Sequence, residues 1–140
     1  MQLGTGLFTC QRRPDDERTT SEIYDEMLTL GRAIDESGLA SAWVSEHHFM
    51  EDGYLSATMP VLGAMAAETE SIEIGPCIAL APLYHPVRLA EDAATVDLLA
   101  DGRLVALDAP EALVADHGGD SQLLVDGEFD RAAVDAIDYP

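Results

Sequence analysis

Three titratable residues stand in a row at Glu46-His47-His48, immediately before Phe49. Imidazole is the side chain suited to moving protons near neutral pH. The row follows a short apolar run, Ala40 to Ser45, of strand length. Where parallel strands end, the loops after them converge on one rim, and reactive groups collect there. Neighbouring residues on a strand point to opposite sides, so His47 and His48 share a pocket only if the chain turns. Taken alone, the pair suits two backbone-bonded surface histidines better than a proton relay. Other chemistries fall away. Glu46, His47, His48 and His85 lack the i,i+4 spacing of a helical zinc pair, and no metal site is expected. Gly4-x-Gly6 runs on to Thr9 rather than to glycine, so the dinucleotide fingerprint fails. Cys77, after Gly75-Pro76, reads as a packed small hydrophobe rather than a nucleophile. Trp43 and Phe49 read as packing rather than a stacking platform for bases.

The elements that position these residues alternate. Leu3 to Thr9 reads as a buried strand and Gln11 to Thr20 as a loop. Thr19 and Glu22 have the spacing of a capping box, in which each side chain satisfies the other's free amide. Ile23, Met27, Leu30 and Ile34 then share one helical face, and Gly38 is placed to end it. After the Ala40–Ser45 strand and a loop over Glu46–Ser56, Pro60 falls in the first turn of a second helix. Leu62, Met65, Ala66 and Thr69 continue it. Ile72 to Ala81 predicts a third strand, with its core over residues 72–80. His85-Pro86 opens a third helix that carries Leu89, Ala93, Val96 and Leu99/Ala100, and Asp101-Gly102 ends it. Arg103 to Leu107 reads as a fourth strand. Strands apolar on both faces, alternating with helices, predict parallel βα units. Leu3, Leu7, Ile23, Met27, Leu30, Trp43, Val44, Leu62, Ile74 and Ile78 are expected in the core. Cys10, His47 and Cys77, each ending a successive strand, are expected to cluster at one rim.

The chain has 140 residues, 47% of them hydrophobic, which is one domain's worth of sequence at most. Its 27 acids face 7 bases, for a net charge of -20. That charge argues against nucleic acid and anionic membranes and fits a solvated acidic shell in a high-salt, halophilic cytoplasm. All seven bases are arginine, which excludes a P-loop and a pyridoxal Schiff base. Cys10 and Cys77 make no disulfide framework. No transmembrane segment is expected, and Met1-Gln2-Leu3-Gly4 lacks the basic start of a signal peptide.

A family resemblance rests on three blocks. Gly38-Leu39-x-Ser41-x-Trp43-Val44-Ser45-Glu46-His47-His48-Phe49 precedes Asp52-Gly53-Tyr54 and Ile74-Gly75. Pro82-Leu83-x-His85-Pro86-Val87-Arg88-x-Ala90-Glu91-Asp92 follows, then Asp97-x-Leu99-x-x-Gly102-Arg103. Over about residues 1–104 the chain resembles the bacterial luciferase-like flavin monooxygenases. The resemblance implies a (β/α)8 TIM barrel of which this α/β chain carries about three to four βα units. It also implies reduced FMN, or a deazaflavin, at the C-terminal rim, with oxygen and a small organic substrate. His47 matches the catalytic histidine. Glu46 and His48 match pocket-wall positions, and Cys77-Ile78 matches a strand end that can hold a non-prolyl cis peptide against the flavin. Helices near 57–69 and 86–100 match a dimer interface.

The pattern changes after Arg103. Residues 105–140 read as a divergent, acidic α/β tail, with 9 acids after Leu107 against Arg131 alone. A helix over Ala112–Asp116, a strand over Gln122–Val125 and a helix over Phe129–Ile137 are expected. Over about residues 103–138 the tail resembles the segment just beyond the nucleotide-binding core of drug-exporter-type ABC transport ATPases. A whole barrel takes roughly 250 residues. A truncated barrel with impaired activity, binding FMN weakly or not at all, is therefore expected. The alternatives are a non-catalytic half-barrel that joins a full-length homologue, or a non-functional chimeric remnant.

Overall fold

Thr19 starts the first helix, α1 (Thr20–Ser37), through the reciprocal pair expected of a capping box. The Glu22 amide donates to Thr19 Oγ1 at 3.2 Å, and the Thr19 amide donates to Glu22 Oε2 at 2.7 Å. Gly38 closes the helix at φ 77°, a left-handed conformation that glycine adopts without a Cβ penalty.

A computed structural model describes residues 3–105. They form a parallel sheet ordered β1 (Thr5–Phe8), β2 (Ser41–Val44), β3 (Glu73–Pro76). Helix α1 connects β1 to β2, and α2 (Thr58–Glu68) connects β2 to β3. After β3 come a 3-10 turn at Ala81–Leu83 and helix α3 (Pro86–Leu99). Leu104 then makes a parallel bridge to Ile74, where a fourth strand is expected to begin. The elements expected after Val105 lie outside the described residues. Among the described residues no helix is long and apolar enough to cross a membrane.

The third strand is shorter than its apolar run. The Cys77 amide still donates to Val44 O at 2.6 Å, but β2 has no further residue to offer. The Leu80 amide goes instead to the Glu46 carboxylate. Ile78, expected in the core, is consequently off the sheet and 64% exposed.

Alternation along the strands sorts the rest. Ala42, Val44 and Ile74 are fully buried, alongside Leu62 and Met65 of α2. Trp43 takes the opposite face and is half-buried rather than buried. A Cβ on Gly75 would stand 2.7 Å from both Trp43 Cζ3 and the Val105 carbonyl oxygen, so the indole lies across β3 only because that strand carries glycine there. Trp43 Nε1 donates to Ser41 Oγ at 2.9 Å and fixes the ring.

Three more residues expected in the core are exposed: Leu3, Leu7 and Leu30. β1 is the edge of the described sheet, so Leu3 and Leu7 lack a second neighbour. On α1 the buried stripe is Ile23, Met27, Gly31 and Ile34, because Gly31 lets α1 approach Met65 of α2. That rotates Leu30 outward, where it lines an open groove with Leu7 along the β1 edge.

Two polar clamps hold the end of α2 and the turn that leads from it to β3. α2 ends without glycine, and Arg103 donates to its terminal carbonyls, Ala66 at 3.2 Å and Thr69 at 2.8 Å, and to Ile72 O at 2.9 Å. The Asp35 carboxylate accepts from three successive amides, Glu70, Ser71 and Ile72, at 2.6, 2.9 and 3.0 Å, and from the Ser71 hydroxyl at 2.6 Å. Partial burial raises the Asp35 pKa, but the Ser71 hydroxyl and the three amides outweigh it and hold the carboxyl below its usual value. Its folded pKa is therefore below the unfolded one, so its contribution to stability is present above about pH 4 and is lost as pH falls through the folded pKa. Asp35→Asn is expected to melt several degrees below the parent at pH 7. In thermal melts across pH 2–7 that gap should close on acidification; a gap independent of pH would contradict this role for Asp35.

Candidate active site at the strand-end rim

Backbone hydrogen bonds lace the strand ends together. Ser45 donates to Phe8 O at 3.0 Å, Leu55 to Thr9 O at 2.8 Å, and His47 to Leu55 O at 2.8 Å. The alternation of β2 persists past Val44 and splits the Glu-His-His row. Ser45 and His47 group with Tyr54, whose hydroxyl donates to Ser45 Oγ at 3.3 Å and whose ring lies 5.4 Å from the His47 ring. Glu46 and His48 group on the other side, with His48 Nε2 3.0 Å from Glu46 Oε1. The two histidines therefore face different surroundings, as strand geometry requires.

His47 is exposed, and among the described residues its ring makes no side-chain hydrogen bond. Among the described residues, nothing occupies its nitrogens. Asp52 is the acid nearby. It accepts from Gln11 Nε2 at 2.6 Å and from the Tyr54 amide at 3.2 Å. The Gln11 bond foremost holds the Asp52 carboxyl below the usual carboxylate range, and the charge of His47 acts in the same direction. Asp52 is thus an ionised group beside the imidazole at neutral pH.

Glu46 is buried, with an exposure of 4%. It accepts from the Leu80 amide at 3.0 Å, from the Tyr84 hydroxyl at 2.5 Å and from Thr58 Oγ1 at 3.4 Å. Burial first, then the bond to the Glu46 carboxylate, raises the Tyr84 pKa, so Tyr84 stays a neutral donor.

Cys77 and Ile78 are exposed at the end of β3, and the peptide bond joining them is cis, the geometry that the family resemblance implied at this step. Cys77 lines an open depression of about 570 Å³ with Gly4, Thr5, Gly6, Leu7, Ser41 and Trp43. The expected rim cluster is only partly realised. His47 and Cys77 are exposed at the rim, but Cys10 is buried in the helix layer, its Sγ 3.5 Å from Met27 Sδ. Cys10 takes φ 52°, which lets the chain turn its side chain beneath α1. Burial pushes the Cys10 thiol up to about 11, which leaves it protonated and inert.

A flavin ring is flat and apolar on its faces and polar along one edge. Exposed Ile78 and Cys77, with the exposed His47 imidazole at the same rim, fit such a ring. No arginine lines this depression. Sequence assigns no role to Tyr54, Tyr84, Thr58 or Asp52. The Asp52-Gly53-Tyr54 block was visible as a motif, whereas nothing in the spacing ties Thr58 or Tyr84 to Glu46.

Parallel β/α units with reactive groups at the strand ends define this as a barrel-type α/β protein. Residues 1–106 match the family model described as luciferase-like monooxygenase, and the chain belongs to that family. It is 35% identical over 100 residues to the oxygenase component of flavin-dependent trigonelline monooxygenase from Acinetobacter baylyi, covering 70% of this chain and 27% of that protein. It is 31% identical over 103 residues to the alkanal monooxygenase alpha chain of the Kryptophanaron alfredi symbiont, covering 74% of this chain and 28% of the relative. Among solved structures it resembles the monooxygenase RslO1 from Streptomyces bottropensis, with a TM-score of 0.68 and 29% identity, over 82% of this chain and 36% of that one. The chain thus spans about a quarter to a third of the length of the relatives it matches.

Proposed function

We propose that this chain supplies the His47 rim of a flavin-dependent monooxygenase. The observation that carries the reading is the pairing of an exposed His47, whose ring makes no hydrogen bond among the described residues, with the exposed Cys77–Ile78 strand end. Reduced FMN, when bound, supplies the electrons that let oxygen react with a small organic substrate; a deazaflavin is the alternative cofactor. Ile78 and Cys77 would pack against the ring face and keep water from it. His47 would hold or deliver a proton at a ring nitrogen, with Asp52 beside it as the fixed negative charge and Tyr54 setting the imidazole's orientation. His48 and Glu46 belong to the supporting side. The flavin named in the trigonelline relative and the monooxygenase activity in both relatives' names support this reading. Alkanals and trigonelline, named in those relatives, are the first substrates to try.

The ring wall lies within residues 1–104, and residues 105–140 are treated as a separate tail, in keeping with the family match ending at residue 106. The tail's resemblance to ABC transport ATPases suggests no chemistry for it. Exposed Val87, Leu98 and Leu99 on α3 support a homodimer through the helices near 57–69 and 86–100. The acidic composition supports a high-salt cytoplasmic setting. The test of the reading is a titration of the 140-residue chain with FMN in concentrated salt, where a screening length of about 3 Å weakens repulsion between the acidic chain and the phosphate. A dissociation constant of about 1 mM is expected from a ring wall alone, since charge-assisted phosphate contacts are among the stronger ones available. No saturable binding of FMN or of a deazaflavin would sink the reading.

A further inference from the structure

Glu46 has no face left for a ligand. Its side chain is fully buried, and donors from three segments occupy both oxygens: His48 from the β2 end, Thr58 from the start of α2, and Leu80 and Tyr84 from the loop before α3. Among the described residues no buried side-chain polar atom lacks a partner. A buried carboxylate is tolerated only when it is satisfied in this way, and an apolar side chain of similar size often stabilises a core as well or better. Its value therefore lies in what it ties together.

The loop from Ile78 to Tyr84 depends on that tie. Its other hydrogen bonds are internal: Ala81 N–H to Ala79 O, Leu83 N–H to Leu80 O and Tyr84 N–H to Ala81 O. Those that leave it among the described residues are Leu80 N–H to Glu46, the Tyr84 hydroxyl to Glu46, and a 3.5 Å contact between the Tyr84 and Thr58 hydroxyls. Ile78 and Leu83 are exposed and bring little packing of their own. We propose that Glu46 is a positioning residue, not a cofactor contact: it locks the Ile78–Tyr84 loop and the His48 ring to the end of β2, so that Cys77 and Ile78 stand as a fixed wall at the rim that carries His47. The wall rests on the proposed flavin function; the lock itself does not.

The experiment is hydrogen exchange of the 78–84 segment in the full chain, for the parent, Glu46→Ala, Glu46→Gln and Tyr84→Phe, with lumiflavin affinity measured on the same proteins. Glu46→Ala is expected to speed exchange at Leu80 about tenfold or more, the equivalent of one lost net hydrogen bond. It should also weaken lumiflavin binding several-fold. Glu46→Gln is expected to restore most of both, because its amide oxygen accepts from Leu80 while its amide nitrogen donates to the Tyr84 oxygen. Tyr84→Phe keeps the packing around Glu46 and removes only one donor, so faster exchange in that variant separates the tie from a general loss of packing. Exchange of 78–84 unchanged in a folded Glu46→Ala chain overturns the proposal, as does lumiflavin affinity unchanged while the loop opens. If Glu46→Ala does not fold, Tyr84→Phe removes one tether, and parent-like exchange in that variant overturns it. A parent that binds no lumiflavin contradicts the flavin reading alone, because the exchange arm contains no flavin.

Discussion

Replacing His47 with alanine is expected to lower flavin-driven oxidation of substrate about 100- to 10,000-fold, the range over which a positioned proton-transfer group acts. The folded state should be untouched. His47 is exposed, its ring makes no hydrogen bond among the described residues, and its backbone amide, which donates to Leu55 O, survives the substitution. His48→Ala serves as the contrast. His48 is half-buried against Glu46, so its loss should disturb the loop side of the site and reduce activity less. Oxidised product formed from an accepted substrate with reduced FMN, at saturating flavin and against a protein-free control, measures both. Equal losses in the two variants, or a His47→Ala protein that melts well below the parent, would assign His47 a structural role instead.

Leu62→Ala is expected to destabilise the chain by about 2–5 kcal/mol, and Leu30→Ala by less than about 1 kcal/mol. Both leucines occupy core-facing positions in the sequence pattern. Leu62 is fully buried, among the residues packed between α2 and the sheet, so its removal leaves a cavity that rigid neighbours do not close. Leu30 is 46% exposed and lines an open groove. Chemical denaturation of the two variants reads the difference directly. Similar losses would mean that the groove is covered in solution and that the β1 edge is buried there.

That pair shows where sequence reading reaches its limit. Periodicity located α1 and its two ends correctly, because the Thr19–Glu22 box and Gly38 act locally and need no partner. It placed Leu30 in the core because a helical stripe shows which residues share a face, not which flank of that face meets a neighbour. The neighbour is chosen by Gly31, whose missing side chain admits Met65. Parallel strand order followed from the alternation of apolar runs with helices. The exposure of Leu3 and Leu7 did not, since an edge strand and a central strand read alike.

The site divides the same way. His47 and Cys77 were visible, because strand ends and the family blocks mark them. Glu46 was visible as a residue but not as a hub, because its partners Leu80 and Tyr84 lie 34 and 38 positions away and are brought in by the turn after β3. Cys10 was misplaced because its left-handed backbone conformation redirects the side chain beneath α1, and nothing in its neighbours' types signals that.

The claim on which the account stands is that the rim at His47, Cys77 and Ile78 receives a flavin ring. The direct measurement is chemical-shift mapping of the 140-residue chain with lumiflavin, which has the ring system but no phosphate tail, and with FMN, in concentrated salt. The account predicts that both ligands shift the resonances of His47, Cys77 and Ile78, with similar affinity, and that Ile78→Asp abolishes the shifts while the sheet signals persist. Shifts confined to other residues, or none at those three at ligand concentrations of several millimolar, would contradict it.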